Sequence, residues 1–254
     1  MIGHGQRRLR EMKFALTLLG ASVSLTASET ILVDDPLHSS TLGDVVGGQL
    51  TENGYMPGLG TGHLLYTLPP LGPAGFVEVE ILGMDAQAVP PNADHGFLAM
   101  YDGRGVIEPA EYFRDLKQNY FRWNVHWRNS RKLGLKCVVA CAAPTVERRE
   151  AQIAQFPARH RDWFTEPTGD EVAWDPQTWH RLRVEWRPGQ FRVLVDGVSV
   201  WQAEGPYDYT PVQHRLWLGS APAHQLKYPC LVAGMVYRNF KAGTLTPAET
   251  TPLP

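Results

Sequence analysis

Apolar and charged side chains alternate over Phe76–Leu82, with Val77, Val79 and Ile81 on one side and Glu78 and Glu80 on the other. A period of two is the pattern of a strand with one buried face. The same period runs through Trp179–Trp186, where Leu182, Val184 and Trp186 oppose Arg181, Arg183 and Glu185. It resumes at Phe191, Val193 and Val195 after the turn signal Arg187-Pro188-Gly189-Gln190. Asp196-Gly197 then predicts a tight hairpin into Val198–Trp201, because such turns need positive φ, which glycine accepts. Three strands therefore follow one another as a meander. Tyr55–Leu68 and Phe97–Tyr101 predict earlier strands, and Leu216–Leu218 and Met235–Phe240 later ones. Thr145–Phe156 departs from the pattern: rich in Glu, Arg, Ala and Gln between Pro144 and Pro157, it predicts a short helix in a long insertion.

Composition agrees with a β architecture. The 24 Gly, 20 Pro and eight Trp are spread along the 254 residues, which suits many short strands joined by turns. With 43% hydrophobic positions, a chain of this length can bury one sizeable core, so a single main domain is expected.

The N-terminus reads differently. Arg7, Arg8, Arg10 and Lys13 precede an apolar run from Phe14 to Leu25, and small residues follow at Thr26, Ala27 and Ser28. A basic start, a short apolar middle and small residues at the end are the parts of a secretory signal, and the run is shorter than the roughly 18 apolar residues a membrane span needs. The expected organisation is thus a signal peptide at 1–28, a β domain at 29–243 and a tail at 244–254, in a secreted or periplasmic protein with no membrane attachment once the signal is removed. Taking away residues 1–28 removes four basic side chains and one acidic one, leaving a formal charge of −5. That balance gives no reason to expect nucleic-acid binding. Cys137, Cys141 and Cys230 lack CxxC spacing, so they give weak grounds for a metal site. If Cys137 and Cys141 share one strand they lie roughly 13 Å apart and cannot bond each other.

The segment Trp174-Asp175-Pro176-Gln177-Thr178-Trp179-His180, continuing through HRLRVEWRPGQFRVLVDGVSVW, resembles the concanavalin A-like lectin/glucanase and laminin-G-like jelly rolls. In these, a Trp-His strand leads into a hairpin closed by Val-Asp-Gly. The closing VYRNFKAG resembles their last strand. The resemblance covers about residues 174–243 and implies an all-β concanavalin A-like sandwich jelly roll, here with a short helical insertion. It implies a carbohydrate partner more readily than a reaction, since that superfamily holds glycosidases, polysaccharide lyases, lectins and adhesive modules.

The residues that suggest chemistry lie upstream. Across Asn119–Asn129, Phe121, Trp123, Val125 and Trp127 share one side of the implied strand, and Tyr120, Arg122, Asn124, His126 and Arg128 the other. At about 3.3 Å per residue the polar side runs roughly 26 Å, enough to underlie several sugar rings. From Leu116 to Val146 there is no acidic residue, whereas Lys117, Arg122, Arg128, Arg131, Lys132 and Lys136 are basic. A basic strip in an acidic protein favours an anionic ligand, and for a jelly-roll groove a uronic-acid polysaccharide is the natural candidate.

Eliminating across such a polymer requires the uronate carboxylate to be stabilised while the neighbouring carbon loses a proton and the glycosidic oxygen departs. Arg122, Asn124 and Arg128 suit the first task, and His126 and Tyr120 suit base and acid. The set resembles the Arg, Asn or Gln, His and Tyr groups of jelly-roll lyases. Two parts of the alginate-lyase-like pattern are absent: Phe240-Lys241-Ala242-Gly243 is followed by Thr244-Leu245 rather than by tyrosine, and Gln213-His214 lacks the residue between. Lys136, His95, Tyr101, Arg104 and Lys227 are candidates for substrate binding, the last beside His224 and Tyr228 in a late loop.

Three other readings stand beside this one. A non-catalytic carbohydrate-binding domain would use the same row without proton transfer. An adhesive laminin-G-like module would present it to another protein. A glycoside hydrolase would need paired carboxylates, for which Glu78-Val79-Glu80 offers two on one face, with Leu82 where laminarinase-like jelly rolls carry a third acid. Solvent-facing strand glutamates are the plainer account of that pair. Trp174, Trp179, Trp186, Trp201 and Trp217 suit sugar stacking or, at their strand positions, the core. No cofactor is required, and Asp34 and Asp35 are candidates for a structural Ca²⁺.

Overall fold

The computed structural model describes residues 28–102, 121–129, 133–141, 162–165, 174–204, 214–222 and 227–246. For some strand residues, among them Tyr101, Arg122, Arg128, Lys136 and Lys227, it describes the backbone alone.

The chain alternates short strands and turns. The first half supplies β1 (Glu29–Asp35), β2 (Asp44–Val46), β3 (Gln49–Thr51), β4 (Gly54–Met56), β5 (His63–Leu68), β6 (Gly75–Leu82), β7 (Asp94–Asp102) and β8 (Phe121–Asn129). The second supplies β9 (Leu133–Cys141), β10 (Asp162–Thr165), β11 (His180–Arg187), β12 (Gln190–Val195), β13 (Val198–Glu204), β14 (His214–Gly219), β15 (Ala221–Pro222), β16 (Lys227–Tyr228) and β17 (Val236–Leu245).

Two antiparallel sheets carry the fold. In the first the order is β13-β12-β11-β6-β17-β4-β3, with β1 also paired to β17, and in the second β10-β9-β8-β7-β14-β5-β2. β15 and β16 form a small separate pair. The result is the all-β sandwich jelly roll implied by the resemblance to concanavalin A-like domains.

The alternation of the sequence explains the packing. Val77, Val79 and Ile81 of β6, Leu182, Val184 and Trp186 of β11, and Phe191 and Val193 of β12 point from the first sheet into one buried cluster. Trp123, Val125 and Trp127 of β8 and Leu216 and Leu218 of β14 meet them from the second. Trp123 lies between Trp186 and Phe191, with ring centroids 6.2 and 5.9 Å away. Such aromatic contacts across the layers supply much of the apolar burial that holds a sandwich together.

The hairpin at Asp196-Gly197 takes positive φ at both residues, 51° and 82°, the backbone of a turn that follows the strand twist. His180, at the start of β11, lies beside the tip of the same hairpin. Its Nδ1 is 2.7 Å from Asp196 Oδ2, while Arg181 N–H donates to the other carboxylate oxygen at 2.8 Å. The resemblance-bearing His and Asp are therefore a latch that ties the first strand of the meander to the hairpin tip.

Tyr55–Leu68, expected as one strand, is two. β4 belongs to the first sheet and β5 to the second, and the segment from Pro57 to Gly62 crosses between the layers. Pro57 removes a ladder donor, and Gly58 and Gly60 adopt φ of 70° and 93°, so the stretch cannot stay extended. The last strand runs beyond Phe240, to Leu245, which pairs with Glu29. Its register breaks between Arg238 and Lys241, where Asn239 has φ 53°. That bulge lets β17 exchange its contact with β4 at Tyr237 for a ladder with β1 from Phe240 onward. The helix expected at Thr145–Phe156 and residues 1–27 of the expected signal peptide fall outside the described residues. Among the described residues no helix is long and apolar enough to cross a membrane.

Candidate functional site

The strand expected to carry chemistry is β8. Because Trp123, Val125 and Trp127 enter the core, the alternation turns positions 122, 124, 126 and 128 to the outer face of the second sheet. Antiparallel register then assembles neighbours around them. Tyr101 of β7 pairs with Arg122, Ala99 with Asn124 and Gly96 with His126. On the other side Lys136 of β9 pairs with His126. β15 and β16 pack beside β7, so the backbone of Lys227 lies along the strand that carries Gly96. Five expected site positions, Arg122, Asn124, His126, Arg128 and Lys136, thus share one face, with Tyr101 beside them and Lys227 close to the same strand.

Asn124 and His126 are 0% and 2% exposed although they lie on the side of the sheet away from the core. Neither Oδ1 nor Nδ2 of Asn124 has a hydrogen-bond partner. A buried amide left unsatisfied costs about 1–3 kcal/mol, so this position is held against the preference of the isolated fold. The neighbouring pleat at Ala99 is small, and Gly96 beside His126 has no side chain. The two polar groups are about 6.7 Å apart along the strand, a spacing at which one sugar ring reaches both.

His95, expected to bind substrate, belongs to the other side of β7. It pairs with Trp127, its ring meets Phe97 edge-on at 5.3 Å, and it is 0% exposed. Its Nδ1 accepts the Leu231 N–H at 2.7 Å and its Nε2 faces Met235 Sδ at 2.8 Å. Burial pushes its pKa down to about 4, so it is a neutral interior imidazole that links β7 to the segment before β17. Strict alternation places His95 on the outer side, but the β7 register shifts between Gly96 and Leu98, which moves it to the core side. Tyr120 and Arg104 lie outside the described residues.

Sequence reasoning passed over Arg215 on this face and left Trp217 open between sugar stacking and the core. Leu216 and Leu218 enter the core, so Arg215 and Trp217 of β14 must face outward. Arg215 pairs with Tyr101 and Trp217 with Ala99, next in line from Arg122 and Asn124. Trp217, Ala99 and Leu65 form an apolar cluster separate from the main core. The alternation of His214–Gly219 contained this signal, but tryptophan in a strand reads as core by default. Of the other tryptophans, Trp186 and Trp201 are core, Trp174 packs against it, and Trp179 lies under Arg238, whose guanidinium carbon is 3.7 Å from the ring centroid.

The carboxylates considered for hydrolysis occupy the opposite layer. Glu78 and Glu80 are on the outer face of the first sheet, and both are paired: Arg183 Nη1 donates to Glu78 at 3.2 Å and Arg238 Nε to Glu80 at 2.6 Å. Arg183 also meets Glu29 and Glu185, and Arg192 meets Glu185, so the acids there are committed to an ion-pair network. Asp35 is likewise engaged. Its carboxylate accepts from Leu37 N–H, Leu42 N–H, Thr41 Oγ1 and Tyr66 Oη at 2.7–3.0 Å, which leaves little of it for a cation. Among the described residues no group of three His, Cys, Asp or Glu is arranged to hold a metal.

No protein-family model matches the chain, and no curated protein matches it. Solved structures resemble the fold. The kappa-carrageenase from Pseudoalteromonas carrageenovora, in complex with an oligotetrasaccharide of kappa-carrageenan, is similar at 14% identity over 73% of this chain and 68% of that one, with a TM-score of 0.42. The alginate lyase Aly36B is similar at 9% identity over 83% and 95%, with a TM-score of 0.47. The Bacillus licheniformis beta-glucanase is similar at 13% identity over 84% and 97%, with a TM-score of 0.45. Likenesses of this strength concern the fold and assign no activity to the chain.

Proposed function

We propose that this protein is an exported carbohydrate-active enzyme that cleaves an anionic, uronic-acid polysaccharide by β-elimination on the outer face of β8. The observation that carries the reading is Asn124, whose buried amide has both polar atoms unmatched two residues from His126 on a face that also holds the positions of Arg122 and Arg128. With a sugar hydroxyl donating to Oδ1, a uronate carboxylate supplies the rest of what this site lacks. It accepts from the Asn124 Nδ2–H and from guanidinium donors, and charge-assisted bonds of this kind are the strong ones.

Neutralising the carboxylate acidifies the C5 proton of the sugar. His126 takes that proton, the electron pair forms the C4–C5 double bond, and the C4–O glycosidic bond breaks toward the leaving sugar. The departing oxygen gains a proton from Tyr120, expected from sequence to act as acid. The products are one chain with a new reducing end and one with an unsaturated uronate at its non-reducing end. Burial favours this chemistry, because donors aimed at developing charge act more strongly where water is excluded.

The test is a panel of uronic-acid and neutral polysaccharides, followed by ultraviolet absorbance of the unsaturated uronate and by reducing-end release. Absorbance on uronate polymers alone is the expected result. Reducing ends without absorbance would assign hydrolysis, and binding with neither would assign a lectin-like role.

A further inference from the structure

We infer that Arg215 is a second anion-recognition residue and Trp217 the apolar floor beside it, so that the site grips an acidic oligosaccharide across β8, β7 and β14. This deepens the proposed reading and rests on it.

Two parallel rows cross the sheet. One runs Arg122, Tyr101, Arg215, Thr67, and the next runs Asn124, Ala99, Trp217, Leu65. Strands lie about 4.8 Å apart, so the Arg122 and Arg215 positions are separated by roughly 10 Å, with one strand between them. Exposure rises along the second row, from 0% at Asn124 and Ala99 to 9% at Trp217 and to half-buried Leu65, and Thr67 at the end of the first row is exposed. The face therefore opens toward β14 and β5.

Arg215 differs from three other half-buried arginines of the sandwich. Arg183, Arg192 and Arg238 are each matched to a carboxylate. The Nε of Arg215 is buried without any hydrogen-bond partner. A desolvated guanidinium donor left unmatched is as unfavourable as the Asn124 Nδ2–H, and an acidic group satisfies both donors. Trp217, held in the small cluster with Ala99 and Leu65, supplies the flat apolar surface that sugar C–H groups pack on. An acidic group held at Asn124 and a second at Arg215, with Trp217 near both, fit successive charged units of one chain and leave a neutral glycan with unmatched donors.

The experiment is calorimetric binding of purified wild type, Arg215→Ala, Arg215→Lys and Trp217→Ala to uronate oligomers of increasing length and to neutral oligomers of the same lengths. Thermal melts confirm that each variant is folded. Arg215→Ala is expected to weaken binding of the longer uronates by about tenfold and to leave the shortest unchanged, with Arg215→Lys recovering only part of the loss because its point charge lacks the planar fork. Trp217→Ala should weaken long uronate and neutral oligomers alike. An Arg215→Ala variant that keeps the wild-type length dependence, or loses equally at every length, overturns the inference. A wild type that binds no uronate of any length overturns the proposed function along with it.

Discussion

The hydroxyl of Tyr66 donates to Oδ2 of Asp35 at 2.9 Å, joining residues 31 positions apart. Asp35 ends β1 in the first sheet and Tyr66 lies in β5 of the second, so this bond and the three others on the same carboxylate stitch the two layers at one end of the sandwich. Burial raises the tyrosine pKa well above its usual value, so the hydroxyl stays a donor throughout the working range. Asp35→Ala is expected to cost about 3 kcal/mol, since it strands several donors, whereas Tyr66→Phe costs about 1 kcal/mol. Urea unfolding of the two variants measures the difference. The Asp35→Asn loss should be the same with and without added calcium.

Two interior histidines make the fold sensitive to acid. His95 and His214 are fully buried, and burial pushes both pKa values down from 6.5 to about 4. Between these limits the unfolded chain binds protons that the folded chain refuses. Their contribution is therefore intact above pH 6.5 and is lost as pH falls toward 4, by on the order of 3 kcal/mol each. Melting temperature across that window should drop steeply in the wild type and less steeply in His214→Phe, which keeps the stack against Trp186, 6.1 Å away.

The latch at the meander makes a prediction about stability without function. Asp196→Ala removes the partners of His180 Nδ1 and Arg181 N–H and places alanine at φ 51°, at a combined cost of about 2 kcal/mol. Denaturant midpoints should fall accordingly. Glycan binding per folded molecule should stay at the wild-type level, because the latch belongs to the other sheet.

The face-by-face separation of charge supplies a control for the chemistry. Glu78→Gln and Glu80→Gln remove acid groups already tied to Arg183 and Arg238. Each should change turnover on a uronate polymer by less than about twofold while lowering stability by about 1 kcal/mol or less, the range of partly exposed ion pairs. His126→Ala should abolish turnover, and Asn124→Ala should lower it by at least tenfold. A Glu78→Gln variant without activity would return the reaction to hydrolysis.

Much of this fold is legible in the sequence. Alternation at Val77–Ile81 and Leu182–Trp186 announced the core faces because a strand has only two sides, and Asp196-Gly197 announced its hairpin because few residues accept that backbone. Trp123, Val125 and Trp127 turned Asn124 and His126 outward by the same rule. What the pattern missed lay in irregularity and in pairing. The shift between Gly96 and Leu98 inverted the side on which His95 lies, and Pro57 with its glycines sent one apparent strand into two layers. Arg215 became a site residue, and Trp217 was told apart from the core tryptophans, only through the pairing of β14 with β7, a neighbour relation between residues over 100 positions apart that no local period encodes.

β17 pairs with β6 along most of its length and also holds β4 and β1, so the first sheet is divided until the last strand is in place. A sheet joined through β17 cannot close before that strand is added to the others. Contacts between such distant segments carry a heavy loop-closure cost before they yield any stabilisation, which makes for slow folding. Truncation before Val236 should therefore leave an open layer with the inner edge of β6 bare and prone to association, whereas a chain that keeps β17 covers that edge.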